Sequence, residues 1–217
     1  MVGAQRRAMV CVLEGLIAAA ALMASAAGVA VPDLYRSMVP RPVMPFVFGQ
    51  DIVSLAAALA LLAVWRRRGD KAAVLRTGIV AYLFYAYGPL AMGTVYTVFY
   101  FAYLAVFGLA IFYFIAFFSG IAYDRLICVL PAALRAVVAV YCAAIAVYFA
   151  PQWVAAIVTN IQTQSGPAKA GFDFIYYVYV LDLCFVLPVC VLACVLLLRK
   201  KVLGAVLGGT LLVWEPC

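Results

Sequence analysis

Three acidic residues, Glu14, Asp51 and Asp182, stand inside long apolar stretches of the chain. An ionisable side chain in hydrocarbon costs about 2.5 to 3.5 kcal/mol by insertion scales, so each is a functional candidate until a bland explanation is found. Asp51 and Asp182 are the sharper pair, because no Lys, Arg or His lies in the central part of any apolar run. A carboxylate without a basic partner in low dielectric takes up a proton, holds a cation, or faces a water-filled cavity. The chemistry indicated is therefore proton or small-cation chemistry, and anion binding at this level is disfavoured. If the two aspartates are close, like-charge repulsion makes them share one proton. The competing account is structural: both acids are protonated and donate interhelical hydrogen bonds to tyrosine or backbone, adding typically about 0.6 to 2 kcal/mol.

The elements that position these groups follow from apolar length. A helix needs about 20 apolar residues to cross a hydrocarbon core of about 30 Å. The pattern predicts six transmembrane helices, near Met9 to Val31, Phe46 to Trp65, Val74 to Met92, Thr97 to Phe118, Ala136 to Ile157 and Phe172 to Leu198. The fold class expected is thus an all-α membrane bundle forming a single polytopic domain over residues 1–217. The third and fourth runs are nearly continuous, and Gly88, Pro89 and Gly93 are expected to form the tight hairpin between them. After Lys201 a short apolar segment, Val202 to Trp214, is too short to cross. It is either half-inserted or part of a truncated seventh helix. Gly204 and Gly208 form a GxxxG pair there, a common spacing that carries little weight by itself.

Measured from each span's midpoint at about 1.5 Å per residue, Asp51 and Asp182 fall at similar depth on the outer side of the bilayer centre. Tyr87, Tyr103 and Tyr148 come out near that level, with Gln50 beside Asp51 and Ser25 on the first span. Every predicted helix then contributes one polar group to a belt, with Asp51 and Asp182 as the ion or proton site and the tyrosines as supporting hydrogen-bonders. The alternative is that the tyrosines are aromatic core with local bonds. Glu14, in the cytoplasmic half, reads as structural and within reach of Arg6, Arg7 or Arg199 at the interface. Asp173 opens the sixth span, where it faces water or favours the helix N-terminus. Pro188 should kink the sixth span; a kinked helix beside an acid recurs in transporters but also in ordinary membrane helices.

Composition agrees with this class. Of 217 residues, 70% are hydrophobic and 11% charged, and no polar region is long enough for a separate water-soluble domain. The net charge of +7 sits in short loops, where it sets orientation and gives no reason to expect nucleic acid. One set of segments holds Arg6, Arg7, Arg66, Arg67, Arg68, Lys71, Arg76, Arg125, Arg135, Arg199, Lys200 and Lys201; the opposite set holds Arg36, Arg41 and Lys169. Positive segments stay inside, so the N-terminus is expected in the cytoplasm. Trp65 and Trp153, near predicted helix ends, suit interfacial anchoring. Cys11, Cys128, Cys142, Cys184, Cys190, Cys194 and Cys217 include no CxxC pair, and there is no histidine, so no metal site or cofactor is expected. The six inside or beside helices read as small apolar packing residues. A cleaved signal peptide ending near Ala24-Ser25-Ala26 is a competing reading of the first run, opposed by its length and by Glu14.

The strings Phe48-Gly49-Gln50-Asp51 and Phe172-Asp173-Phe174-Ile175-Tyr176-Tyr177-Val178-Tyr179-Val180-Leu181-Asp182-Leu183 resemble stretches of multi-pass membrane proteins of bacteria and archaea with no assigned activity. The resemblance implies a prokaryotic-type plasma membrane and a complete seventh helix where this chain has the short segment Val202 to Trp214. Microbial rhodopsins also have seven helices, but need a lysine in the last one for retinal, which no span here offers. Three functions stay open: a proton- or cation-linked small-solute transporter, a non-catalytic assembly subunit, and a lipid- or quinone-linked membrane enzyme. The enzyme is weakened by the absence of histidine and of any recognisable nucleophile arrangement, and the transporter by the lack of repeat symmetry between three-span halves. The bilayer and a proton or small cation are the partners expected.

Overall fold

The computed structural model describes residues 2–31, 33–36, 38–39, 41–93, 95–120, 131–162 and 175–214. Asp173, Arg125, Lys169, Cys128, Cys217 and the opening residues of the sixth run lie outside these. The described residues are all-helical, without strands: α1 (Val2–Ala30), α2 (Met44–Val64), α3 (Asp70–Met92), α4 (Tyr100–Phe118), α5 (Ala132–Gln162), α6 (Ile175–Leu181), a π-helical turn (Asp182–Val186), α7 (Leu187–Leu198) and α8 (Val202–Trp214). Among the described residues five helices are long and apolar enough to cross a membrane, namely Gln5–Ala30, Met44–Val64, Tyr100–Phe118, Ala132–Thr159 and Tyr177–Leu198, with Val202–Leu212 as a shorter apolar one. The expected third span occupies α3, which has the length at 23 residues but carries Arg76, Tyr82, Tyr85, Tyr87 and Pro89 and is correspondingly less apolar.

The helices form two compact units, residues 1–122 with 213–217 and residues 123–212. In the first unit α1 packs on α2 and α4, and α3 on α2 and α4. The buried face of α1 reads Glu14, Ile17, Ala18, Ala21, Ala24, Ser25 and Gly28, steps of three and four that line one side of a helix. Its outer half is small residues only. In lipid, helix association depends on close backbone approach and polar links, since lipid tails are as apolar as the core, so such a face suits a central helix. The buried stripe of α2 is Val47, Asp51, Ser54, Ala58 and Leu61, with Phe46, Phe48, Ile52, Leu59 and Leu62 exposed on the rest. By contrast α3 is buried almost all round from Thr77 to Ala91, as befits a helix held between two others.

The hairpin between α3 and α4 differs from expectation. Gly88 and Pro89 are inside α3, and the helix ends at Gly93, whose N–H donates to Pro89 O over 2.8 Å. Pro89 has no N–H to give the carbonyl four residues back, and the helix continues for only three residues beyond it. Residues 95–99 then lie outside any helix, and Tyr100 Oη donates back to Ala91 O at 2.9 Å. Between α2 and α3, Gly69 holds φ at 109°, a left-handed conformation that a side chain would resist.

In the second unit α5 packs on α7. The π turn precedes Pro188, whose missing N–H already breaks the regular ladder, and Leu187 N–H reaches back to Asp182 O. The expected kink near Pro188 thus takes the form of a one-residue expansion of the helix. The chain then reverses at Arg199–Lys201: Lys201 N–H donates to Leu196 O and Lys200 N–H to Leu197 O, with Lys200 at φ 57°. That pair of bonds is a Schellman stop. It returns α8 onto α7, where Gly204 lies against the backbone of Leu196 and Leu197, and Gly208 against Val138 and Leu197. The GxxxG pair, given little weight in the sequence, makes the close approach that the spacing permits.

Candidate functional site

Asp51 points from α2 at α1, where Gly28 leaves room for it: a Cβ on Gly28 would overlap the Asp51 carboxyl and sit 2.9 Å from Tyr35 Oη. The residue is 1% exposed. Tyr35, from the connection between α1 and α2, is itself buried and hydrogen-bonds the carboxyl. The second oxygen, Oδ2, is buried with no hydrogen-bond partner. Among the described residues no basic side chain is paired with it; Arg36 pairs with Asp33 and Arg76 with Glu14. Burial raises the Tyr35 phenol far above its ordinary range, with the nearby Asp51 charge adding to the effect, so it stays a neutral O–H donor.

Around this carboxyl stand more hydroxyls. Tyr103 of α4 is 3.4 Å from Tyr35 Oη and accepts from Thr97 Oγ1 at 2.9 Å. Tyr87 of α3 packs its ring 5.8 Å from that of Tyr103, donates to Ala21 O at 3.1 Å and meets Ser25 Oγ at 2.6 Å. Gln50 turns away to donate to Ala86 O at 2.7 Å, tying α2 to α3. Of the residues expected at one level, the first unit therefore gathers Asp51, Tyr87, Tyr103 and Ser25 around one point, with Gln50 on the flank.

No known protein family, curated protein or solved structure matches this chain. The site is read from its own chemistry.

Asp182 and Tyr148 belong to the second unit. Asp182 opens the π turn and accepts a hydrogen bond from Trp153 Nε1 at 2.8 Å; Trp153 is stacked by Phe149 at 5.9 Å and packs on Tyr179 at 4.9 Å. Trp153 thus serves an acid as its donor, a role its place near a predicted helix end did not suggest. Tyr148 is 64% exposed, with its ring edge-on to Phe149.

Glu14 has a different partner from those expected. Arg76 Nε donates to it at 2.9 Å and Tyr113 Oη at 3.2 Å, while Arg76 Nη1 is anchored on Arg67 O at 2.6 Å and Thr77 Oγ1 lies 2.9 Å from Tyr113 Oη. Arg76 stands in the first turns of α3, close enough to the helix end to look like a loop base in the sequence. Trp65, set against Gly15, donates to Cys11 O at 2.9 Å and fastens α2 to α1. Sequence reasoning missed Tyr35, Gly28 and Thr97. The signal for Gly28 was there in the steps of three and four that begin at Glu14; Tyr35 and Thr97 lie in connections without periodicity.

Proposed function

We propose that this protein crosses the membrane six times, with α3 as the third crossing and the N-terminus in the cytoplasm, and that it exchanges a proton or a small cation at Asp51 in the course of small-solute transport. The basic residues at one set of loops support the orientation, and the polar interior of α3, shielded by α2 and α4, supports its counting as a crossing. One observation carries the functional reading: a fully buried carboxyl that, among the described residues, is met by a single hydroxyl donor, with Oδ2 unpartnered and no base in contact. A purely structural acid in such a place is satisfied on both oxygens. Asp182, held by Trp153, is the second candidate group of this reading.

The test is thermal stability of the purified protein against sodium, potassium and lithium concentration at several pH values, alongside Asp51→Asn and Asp182→Asn. A ligand that binds only the folded state raises stability by RT ln(1 + [L]/Kd). The expected outcome is a saturable dependence on pH or on one cation that Asp51→Asn abolishes. Stability indifferent to ions and pH, with Asp51→Asn indistinguishable from the parent, would sink the reading and favour an assembly subunit whose polar groups only hold helices together.

A further inference from the structure

The hydroxyls leading away from Asp51 stand in single file. Thr97 Oγ1 donates to Tyr103 at 2.9 Å, Tyr103 donates to Tyr35 at 3.4 Å, and Tyr35 bonds the Asp51 carboxyl. The file begins in the connection between α3 and α4, where Thr97, 8% exposed and outside any helix, also accepts from Phe99 N–H at 3.2 Å. It reaches Asp51 through Tyr35 of the connection between α1 and α2. Each donor points toward the carboxyl. The branch through Tyr87 differs, because it ends on the backbone oxygen of Ala21. A metal cation is poorly served here: hard cations gather about six oxygens, and among the described residues the Asp51 carboxyl is met by the Tyr35 hydroxyl alone while Oδ2 rests against Gly28.

We infer that the ion exchanged at Asp51 is a proton, and that it travels between Asp51 and the membrane face bearing the α1–α2 and α3–α4 connections through Thr97, Tyr103 and Tyr35. This rests on the reading of Asp51 as an exchange site. On uptake, a proton from water bonds to Thr97 Oγ1 as the Thr97 hydroxyl proton passes to Tyr103, that of Tyr103 to Tyr35, and that of Tyr35 to the carboxylate. Each hydroxyl gains one O–H bond and loses one; Asp51 gains one, and no electrons change hands. The 3.4 Å step between the tyrosines exceeds good O–H···O length and sets the pace. The other titratable or charged groups facing this region are Tyr82 and Tyr87 of α3, with Arg36 and Asp33 paired at the surface beside Tyr35. On α1 the nearest is Glu14, fourteen residues and roughly 21 Å from Gly28 along the helix.

The experiment is time-resolved infrared spectroscopy of the full chain in liposomes after a pH jump, following the carboxylic C=O band that Asp51→Asn removes. Tyr35→Phe, Tyr103→Phe and Thr97→Val should each slow protonation on the order of 100-fold, the low end of what a positioned proton donor contributes. Tyr96→Phe, an exposed neighbour of Thr97, should leave the rate unchanged. Parental rates in all three file variants overturn the path while leaving Asp51 an exchange site. A cation-dependent stability lost in Asp51→Asn, with no proton signal, overturns the proton in favour of a metal ion. No Asp51 band at any pH and no cation dependence removes both readings together.

Discussion

Glu14 and Asp51 are buried carboxyls of the same helical unit, both 1% exposed and both at the contact face of α1. Glu14 is met by Arg76, Tyr113 and, through Tyr113, Thr77. Among the described residues Asp51 is met by the Tyr35 hydroxyl and lies against the bare backbone of Gly28. A guanidinium at 2.9 Å compensates the charge of Glu14 and fixes it. Among the described residues no base is paired with Asp51. Within one fold, then, the same functional group is built once with a guanidinium against it and once, among the described residues, with a hydroxyl as its partner, and the difference lies in the partners, since burial is equal.

The largest effect should come from removing the base. Arg76→Ala leaves Glu14 buried without its cation and should destabilise the protein by about 3 to 5 kcal/mol, seen as a lower unfolding temperature in detergent. Replacing both partners, Arg76→Met with Glu14→Leu, should recover most of it. A loss under about 1 kcal/mol in Arg76→Ala would mean that Glu14 is not held by charge, and the contrast with Asp51 would collapse.

Next in size is Trp153→Phe, which keeps an aromatic ring against Phe149 and Tyr179 but removes the Nε1–H from Asp182. A hydrogen bond to a charged group contributes about 1.5 to 3 kcal/mol; a loss in that range would place Asp182 with Glu14 as a fastened acid. No loss would place it with Asp51. Gly28→Ala follows at about 1 to 3 kcal/mol, because its Cβ overlaps the Asp51 carboxyl and the helices must part. Combined with Asp51→Ala the penalty should largely vanish, and the double-mutant cycle reads the coupling directly. Gly49→Ala and Gly108→Ala, where an added methyl would meet nothing within 4 Å, are the controls.

That the described residues form apolar helices of membrane-spanning length could be read from the sequence, because apolar length determines it, and a rise of about 1.5 Å per residue orders the polar groups along each helix. Ser25, Asp51, Tyr87 and Tyr103 come to one level by that arithmetic, and the structure sets their side chains together. Rotation about each axis could not be read, so Gln50, one residue from Asp51, turns instead to Ala86 O. The partner of Glu14 lies 62 residues away and counts as a loop base by sequence. Tyr35 was hidden for a related reason: a connection has no period from which to infer an inward side chain, yet this one delivers a hydroxyl to Asp51.

The smallest effect gives the finest comparison, between two buried tyrosine hydroxyls on neighbouring helices. Tyr113 donates to Glu14 and Tyr87 to Ala21 O; both rings are fully buried, and a Phe fills either space. A hydrogen bond within a membrane helix bundle averages about 0.6 kcal/mol, and one to an ionised acceptor is roughly twice as strong as one between neutral groups. Tyr113→Phe should therefore destabilise by about 1 kcal/mol or somewhat more and Tyr87→Phe by about half as much, measured by unfolding in the same detergent. In the Arg76→Met background, where Glu14 is left to shed its charge, the two losses should become equal. If they are already equal in the parent, Glu14 carries no charge for Arg76 to hold, and the polar contrast between the two ends of α1 reduces to one of hydrogen-bond number.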